Sequence, residues 1–160
     1  MINRHALELK MAEADKILEQ AQNRAQEQAL AYRGVLLPAE AYTVLQAMPE
    51  ARIVDVRCRA ELDWVGRVPE AIEVELLTYP GMQPNAGFVE QLGEQVTNDA
   101  VLLLLCRTGV RSDKAATLLS QNGFSNCYNI LEGFEGNKDE SGHRGLKTGW
   151  KAAGLPWTQG

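Results

Sequence analysis

Residues 101–111 have the sequence VLLLLCRTGVR, in which an apolar run leads into a polar turn that contains glycine. The run 101–105 has the length and composition of a buried parallel strand. From Ser112 onward apolar residues recur at helical spacing, and Gly123 stands where such a helix would end. The sequence therefore predicts a strand, a turn and a helix, with Cys106 at the point where the strand ends.

This turn is suited to activate the Cys106 thiol. Backbone N–H groups of a strand-to-helix turn can converge on the sulfur, and the positive end of the helix dipole points towards it. Arg107 and Arg111 add two positive charges beside it. A thiolate is the nucleophilic form of cysteine, and these surroundings favour it. We therefore expect a reactive cysteine that meets a small anion.

Composition and charge narrow the class of protein. The 160 residues fit one domain, and 45% apolar with 23% charged residues is typical of a globular chain. A net charge of −5 provides no broad basic surface, so we expect neither a nucleic-acid partner nor an anionic membrane.

The termini and the cysteines predict a cytoplasmic protein. The N-terminus passes directly into charged helix-forming sequence without a secretory segment, and no apolar run is long enough to cross a bilayer. The spacing of Cys58, Cys106 and Cys127 matches no zinc pattern, so we predict no metal site. Cys58 and Cys127 are interpreted as small buried apolar residues, and a role for either as a resolving thiol stays open.

Strands and helices alternate through residues 34–136, which predicts an α/β domain with a largely parallel sheet. The strands are predicted at 36–37, 53–56, 71–76, 101–105 and 126–131, and the helices at 38–48, 60–64, 88–96 and from 112 onward.

Residues 1–33 are predicted as a separate N-terminal helix, since they contain neither glycine nor proline. A seam at spacings of four and three runs along it: Leu7, Met11, Ala14, Leu18, Ala21, Ala25, Gln28 and Tyr32. Two interpretations remain open, namely packing of the seam on its own domain or self-association into a homo-oligomer.

Residues 137–160 form a third segment, a C-terminal extension rich in glycine that carries Trp150 and Trp157. We expect a loop and a short helix at 148–153 that cover the sheet, with the tryptophans as packing anchors. A flexible lid is the alternative.

Four ordered segments resemble those of single-domain rhodaneses, which are sulfurtransferases. They are DVR at 55–57, ELDWVGRVPEA at 61–71, CRTGVRS at 106–112 and YNILEG at 128–133. The resemblance implies a three-layer rhodanese-like α/β fold with a mostly parallel central sheet of about five strands. The helix at 1–33 is then an addition to that fold.

The resemblance also implies roles for residues. Cys106 would accept sulfur and cycle between thiolate and persulfide, and Ser112 would cap the following helix. Asp55 and Arg57 would brace the strand ends. The cradle for the terminal sulfur and the anionic donor would be formed by Arg107, Thr108, Gly109, Val110 and Arg111. No metal or organic cofactor is implied, because sulfur itself is the carried group.

The spacing of the loop separates a rhodanese-like protein from a cysteine phosphatase. Cysteine phosphatases have His-Cys, five residues and then Arg, whereas four residues separate Cys106 from Arg111 here. A loop that is one residue shorter forms a smaller pocket, which favours a single extra atom on the cysteine over a bound phosphate group. Within the resemblance, Arg67, Glu70 and Phe134 replace the family's usual His, Gly and Gly.

The residues and the resemblance are compatible with two functions. The first is a sulfurtransferase that moves sulfur from thiosulfate or a persulfide donor to a thiol, cyanide or a protein acceptor. The second is a non-catalytic or sensory rhodanese-like module that binds within a protein assembly through its N-terminal helix.

Overall fold

The computed structural model describes residues 3–160, so the first two residues of the predicted N-terminal helix lie outside it. The helices are α1 (Arg4–Glu27), α2 (Pro38–Ala47), α3 (Arg59–Val65), α4 (Phe88–Gly93) and α5 (Val110–Gln121). The strands are β1 (Gly34–Leu36), β2 (Arg52–Asp55), β3 (Ile72–Glu73), β4 (Leu77–Thr78), β5 (Gln83–Pro84), β6 (Leu102–Leu105) and β7 (Cys127–Ile130).

Five of the strands form one parallel sheet in the order β1-β7-β6-β2-β3. All four residues of the central strand β6 are buried, as a strand covered on both faces requires. Leu102 and Leu104 belong to one hydrophobic cluster with residues of α4 and α5, and Leu103 and Leu105 to another with residues of α1 and α2. The predicted three-layer α/β fold is confirmed.

Helix α1 ends at Glu27, earlier than the predicted residue 33. Ala29 adopts a left-handed conformation with φ 54°, and the Leu30 N–H returns to the Ala25 carbonyl at 2.9 Å. This turn reverses the chain so that the Arg33 N–H can pair with the Cys127 carbonyl beside β7. The prediction that the helix extends to residue 33 was wrong, because the residues that follow α1 must turn back to pair with the sheet.

The two halves of α1 have different surroundings. Ala14, Leu18, Ala21 and Ala25 are buried within the chain, against β1 and α2. All of residues 3–13 are exposed. The C-terminal half of the predicted seam is thus used inside the chain, and self-association stays a prediction.

Further boundaries differ from expectation, since β1 spans Gly34–Leu36 instead of 36–37 and α4 ends at Gly93 instead of residue 96. The strand predicted at 71–76 is reduced to β3, followed by the short antiparallel pair β4–β5, which the sequence pattern missed. The turn before β3 has Glu70 in a left-handed conformation with φ 66°. This turn therefore keeps a glycine-like backbone although Glu70 occupies it.

The C-terminal extension packs on the domain without the helix predicted at 148–153. Gly149 has φ 101°, and the N–H groups of Trp150 and Lys151 pair with the carbonyls of Gly133 and Phe134. Only one i to i−4 bond follows, from the Ala153 N–H to the Gly149 carbonyl, and the next N–H, of Gly154, returns to Lys151, so the segment closes as a turn and the predicted helix was wrong. Trp150 is fully buried and meets Tyr42 edge-on, so it does anchor the extension.

Within residues 3–160, none of the helices combines the length and the apolar character needed to cross a membrane.

Candidate active site

Cys106 lies directly after β6 and before the helix α5. Cys106 is only 1% exposed, beneath the turn formed by residues 106–111. Gly109 takes φ 100° and precedes the first turn of α5, and its backbone N–H donates to Cys106 Sγ at 3.0 Å. One backbone N–H thus contacts the sulfur, at the positive end of a twelve-residue helix.

Ser112 contacts Cys106 directly. The predicted capping role was wrong, because Ser112 lies inside α5 and the cap position belongs to Gly109, which makes no side-chain cap bond. Ser112 Oγ lies 3.2 Å from Cys106 Sγ and 2.6 Å from Asn129 Oδ1. The helix turns this hydroxyl inward because its third residue faces β7.

Arg111 is paired with a carboxylate of α3. Its two terminal nitrogens donate to Glu61 Oε1 and Oε2 at 2.7 and 2.8 Å. Burial alone would raise the pKa of Glu61, but the hydrogen bonds and charge of Arg111, with hydrogen bonds from Cys58, outweigh it and lower the pKa to about 2. Burial likewise opposes the charge of Arg111, whose pKa Glu61 nevertheless raises. The predicted anion-binding guanidinium is therefore neutralised by a neighbour.

Arg107 is the more open of the two arginines in the turn. Its side chain is 42% exposed, and its Nε lies 3.9 Å from Glu135 Oε2, at the limit of an ion pair. Val110 is also exposed, while Thr108 and Gly109 are half-buried. The solvent side of the turn thus presents Arg107.

The other two cysteines sit in different surroundings. Cys58 Sγ lies 3.1 Å from Glu61 Oε1, and burial together with that carboxylate raises the pKa of the Cys58 thiol. Burial alone raises the pKa of Cys127 to about 12. Both thiols are therefore held in the protonated, unreactive form.

The segment after β7 supports the turn from behind. The Phe134 N–H donates to the Cys106 carbonyl at 2.8 Å, and the Glu135 N–H to the Arg107 carbonyl at 3.0 Å. Gly133 has φ 66°, and a Cβ there would lie 2.5 Å from the carbonyl carbon of Arg107. Only glycine lets these two backbone segments approach so closely.

Asp55 and Arg57 form a fully buried ion pair below the turn. Arg57 donates to both carboxylate oxygens of Asp55 and to the Gly66 carbonyl. Its guanidinium also stacks over the ring of Phe134, 4.2 Å from the centroid. The pair thereby touches the same segment that holds the Cys106 carbonyl.

Two residues of this site received no role from the sequence. Glu61 and Asn129 both fall inside segments that carried the resemblance, so their positions were marked although their contacts were not. Their signal was polarity next to buried positions: Asn129 is a polar residue in an otherwise apolar buried strand. In the described chain, residues 3–160, there is no cluster of three His, Cys, Asp or Glu side chains placed to hold a metal.

Comparison with known proteins gives a consistent picture. A family model described as the rhodanese-like domain matches residues 38–140. An uncharacterized protein of Rickettsia conorii is 36% identical over 121 residues, which cover 74% of this chain and 91% of that protein. A tRNA uridine(34) hydroxylase of Sodalis glossinidius is 34% identical over 100 residues, which cover 62% of this chain and 27% of that enzyme.

Solved structures agree on the fold. The crystal structure of Rv0390 from M. tuberculosis has a TM-score of 0.74 and 40% identity, and the match covers 81% of this chain and 99% of that one. The solution structure of a polysulfide-sulfur transferase homodimer from Wolinella succinogenes has a TM-score of 0.56 at 22% identity, with 88% and 90% covered. At that identity the second match supports the fold alone.

Proposed function

The chain belongs to the rhodanese-like family, and from that premise we propose that it is a sulfurtransferase that carries sulfur on Cys106. The observation that carries the proposal is the contact of Cys106 Sγ with the Gly109 N–H at 3.0 Å, at the start of α5. A hydrogen bond of this kind and a helix N-terminus both stabilise negative charge on sulfur.

The reaction proceeds in two displacements. The Cys106 thiolate attacks the outer sulfur of the donor, a new S–S bond forms, and the donor's own S–S bond breaks. With thiosulfate as donor, sulfite leaves with the electron pair. An acceptor thiol or cyanide then attacks the terminal sulfur of the persulfide, and the Cys106 thiolate is regenerated.

The donor we propose is a small anion. Arg107 supplies the open guanidinium at the rim, while Arg111 is occupied by Glu61. The short turn and the buried Cys106 favour thiosulfate or a persulfide over a bulkier phosphate ester. The acceptor is a small thiol, cyanide or a protein thiol, and no metal or organic cofactor takes part.

The proposed setting is the cytoplasm, because three free cysteines persist in a reducing compartment. We propose neither nucleic acid nor membrane as a partner, in keeping with a net charge of −5. For the predicted self-association through residues 1–33, we propose that the exposed N-terminal end of α1 makes the contact, because the rest of its apolar seam is buried within the chain.

The test is thiocyanate formation from thiosulfate and cyanide by the purified protein. Cys106→Ala is expected to lose the activity, because burial and the Glu61 carboxylate raise the pKa of Cys58 and burial raises that of Cys127, which leaves neither thiol as a ready nucleophile. Cys127→Ala is the matched control and should retain it, since Cys127 is buried beside Leu102, at the end of β6 opposite to the turn. Equal rates in the wild-type protein and Cys106→Ala would contradict the proposal.

A second function, a binding module, is favoured by one observation. The N-terminal turns of α1 are exposed throughout and carry the apolar side chains Leu7, Leu9 and Met11. A pull-down by the full chain that is lost on removing residues 1–13, yet unchanged in Cys106→Ser, would favour the module over the enzyme. Capture that depends on Cys106 would instead favour sulfur transfer to a protein acceptor.

A further inference from the structure

Three polar groups form a hydrogen-bonded row behind Cys106. Asn129 Nδ2 donates to the Gly109 carbonyl at 3.2 Å, Ser112 Oγ lies 2.6 Å from Asn129 Oδ1, and Cys106 Sγ lies 3.2 Å from Ser112 Oγ. Cys106, Ser112 and Asn129 are all buried, so water does not compete freely for these bonds.

The direction of each bond follows from the Gly109 carbonyl. A carbonyl oxygen only accepts, so it fixes Nδ2 of Asn129 towards itself and turns Oδ1 towards Ser112. Oδ1 also only accepts, so the single hydroxyl proton of Ser112 points at Asn129. Ser112 therefore presents lone pairs, not a proton, to the sulfur of Cys106.

We propose that Asn129 is a positioning residue that sets the acidity of Cys106 through Ser112. In the thiol form the S–H of Cys106 donates to Ser112 Oγ, and all three groups are satisfied. In the thiolate form the sulfur faces lone pairs unless the hydroxyl turns its proton from Asn129 to the sulfur. That turn breaks the buried bond to Asn129, so Asn129 favours the thiol, in opposition to the Gly109 N–H.

The charged groups around the turn are the same in the wild-type protein and in variants of Asn129 or Ser112. These groups form four pairs drawn from the turn and from the elements packed around it. The pairs are Arg107 with Glu135, Arg111 with Glu61, Asp113 with Tyr32, and Asp55 with Arg57. Asn129 and Ser112 carry no charge, so their substitution changes hydrogen bonding and leaves this set in place.

The test measures the pKa of Cys106 and uses the full chain. The ¹³Cβ chemical shift of Cys106 is followed through a pH titration in the wild-type protein, Asn129→Ala and Asn129→Leu, the second of which restores most of the side-chain volume. Both variants free the Ser112 proton to bond the thiolate. We expect the thiolate fraction below the pKa to rise about threefold to tenfold, the worth of about one hydrogen bond.

Ser112→Ala separates this effect from mere loosening of the turn. In that background Asn129 has no hydroxyl to orient, so Asn129→Ala and Asn129→Leu should leave the pKa of Cys106 unchanged. An equal shift with and without Ser112, no shift in either variant, or a rise of the pKa would each overturn the proposal. It rests on the proposed function only in taking Cys106 as the nucleophile, and its readout requires no sulfur transfer.

Discussion

Two strand-to-helix turns lie side by side at the carboxyl edge of the sheet, and each carries a buried cysteine. Strand β2 leads through Cys58 into α3, and its neighbour β6 leads through Cys106 into α5. By topology and burial the two thiols are alike.

A carboxylate at the sulfur separates the two turns. Each sulfur receives a backbone N–H, from Glu61 in the Cys58 turn and from Gly109 at 3.0 Å in the Cys106 turn. Cys58 Sγ also meets the Glu61 carboxylate at 3.1 Å, and burial together with this carboxylate raises the pKa of Cys58. An N–H donor at the start of a helix is therefore expected to favour a thiolate only where no carboxylate faces the sulfur.

The two turns are also joined. Glu61 stands between them, since it contacts both Cys58 and Arg111. Arg57, directly before Cys58, stacks on Phe134, whose N–H holds the Cys106 carbonyl. Substitutions can therefore damage both turns, one turn, or only the charge between them.

The largest effect on stability is expected where both turns rest on one group. Asp55→Ala leaves the buried guanidinium of Arg57 without its carboxylate, which should lower the free energy of unfolding by about 3–5 kcal/mol. Urea denaturation measures the loss. Asp55→Asn, which keeps an oxygen acceptor for Arg57, should lose less, and equal stability of Asp55→Ala and the wild-type protein would contradict a bracing role.

A change behind Cys106 should break that turn alone. In Gly133→Ala the new Cβ would stand 2.5 Å from the Arg107 backbone. We expect most of the proposed sulfurtransferase activity to be lost, together with about 1–3 kcal/mol of unfolding free energy.

Gly142→Ala is the matched control for Gly133→Ala. Gly142 also has a positive φ, 81°, but apart from its own two chain neighbours no heavy atom of residues 3–160 lies within 4 Å of its Cβ position. It should retain full activity, and equal losses in the two variants would assign the effect to backbone strain alone.

Glu61→Gln should remove the negative charge that lies between the two turns. Removing the carboxylate leaves Arg111 with one neutral acceptor, so the positive potential at the Cys106 turn increases. We expect the KM for thiosulfate to fall several-fold, roughly the worth of one charged hydrogen bond. A KM that is unchanged or raised would show that Arg111 does not contribute to donor binding.

The same substitution changes the dependence of stability on pH. Because Arg111 and the hydrogen bonds from Cys58 lower the pKa of Glu61 from its ordinary value of 4.5 to about 2, Glu61 stabilises the folded state above that ordinary value. This contribution is lost as the pH falls from about 4.5 towards 2. Thermal unfolding of Glu61→Gln should lack this part of the acid destabilisation.

The smallest effect is expected outside both turns. Glu70 is exposed with φ 66°, so Glu70→Gly should relieve backbone strain and stabilise the protein by about 1 kcal/mol. Activity should not change. Glu70→Ala keeps the strain and provides the control in the same denaturation experiment.

The sequence predicted the sheet and the position of Cys106 because both depend on local patterns. An apolar run marks β6, and a glycine turn before helical spacing marks α5. The end of α1 and the absence of a helix at 148–153 were missed for a physical reason: Arg33 pairs with Cys127, and Trp150 with Gly133, across long sequence separations. Local propensity does not report such pairings.

The site was predicted less completely than the fold. The loop residues were identified from charge and glycine content, yet the partners that decide its chemistry come from α3 and β7. Glu61 is fifty residues from Arg111, and Asn129 is seventeen from Ser112. Their roles became visible only with the distances.

The most direct measurement of the difference between the two turns is intact mass after incubation with thiosulfate. The wild-type protein and Cys58→Ser should each gain the mass of one sulfur atom, which cyanide then removes, and Cys106→Ser should gain none. A sulfur adduct on Cys106→Ser, or its loss in Cys58→Ser, would contradict the assignment of Cys106 as the sulfur carrier.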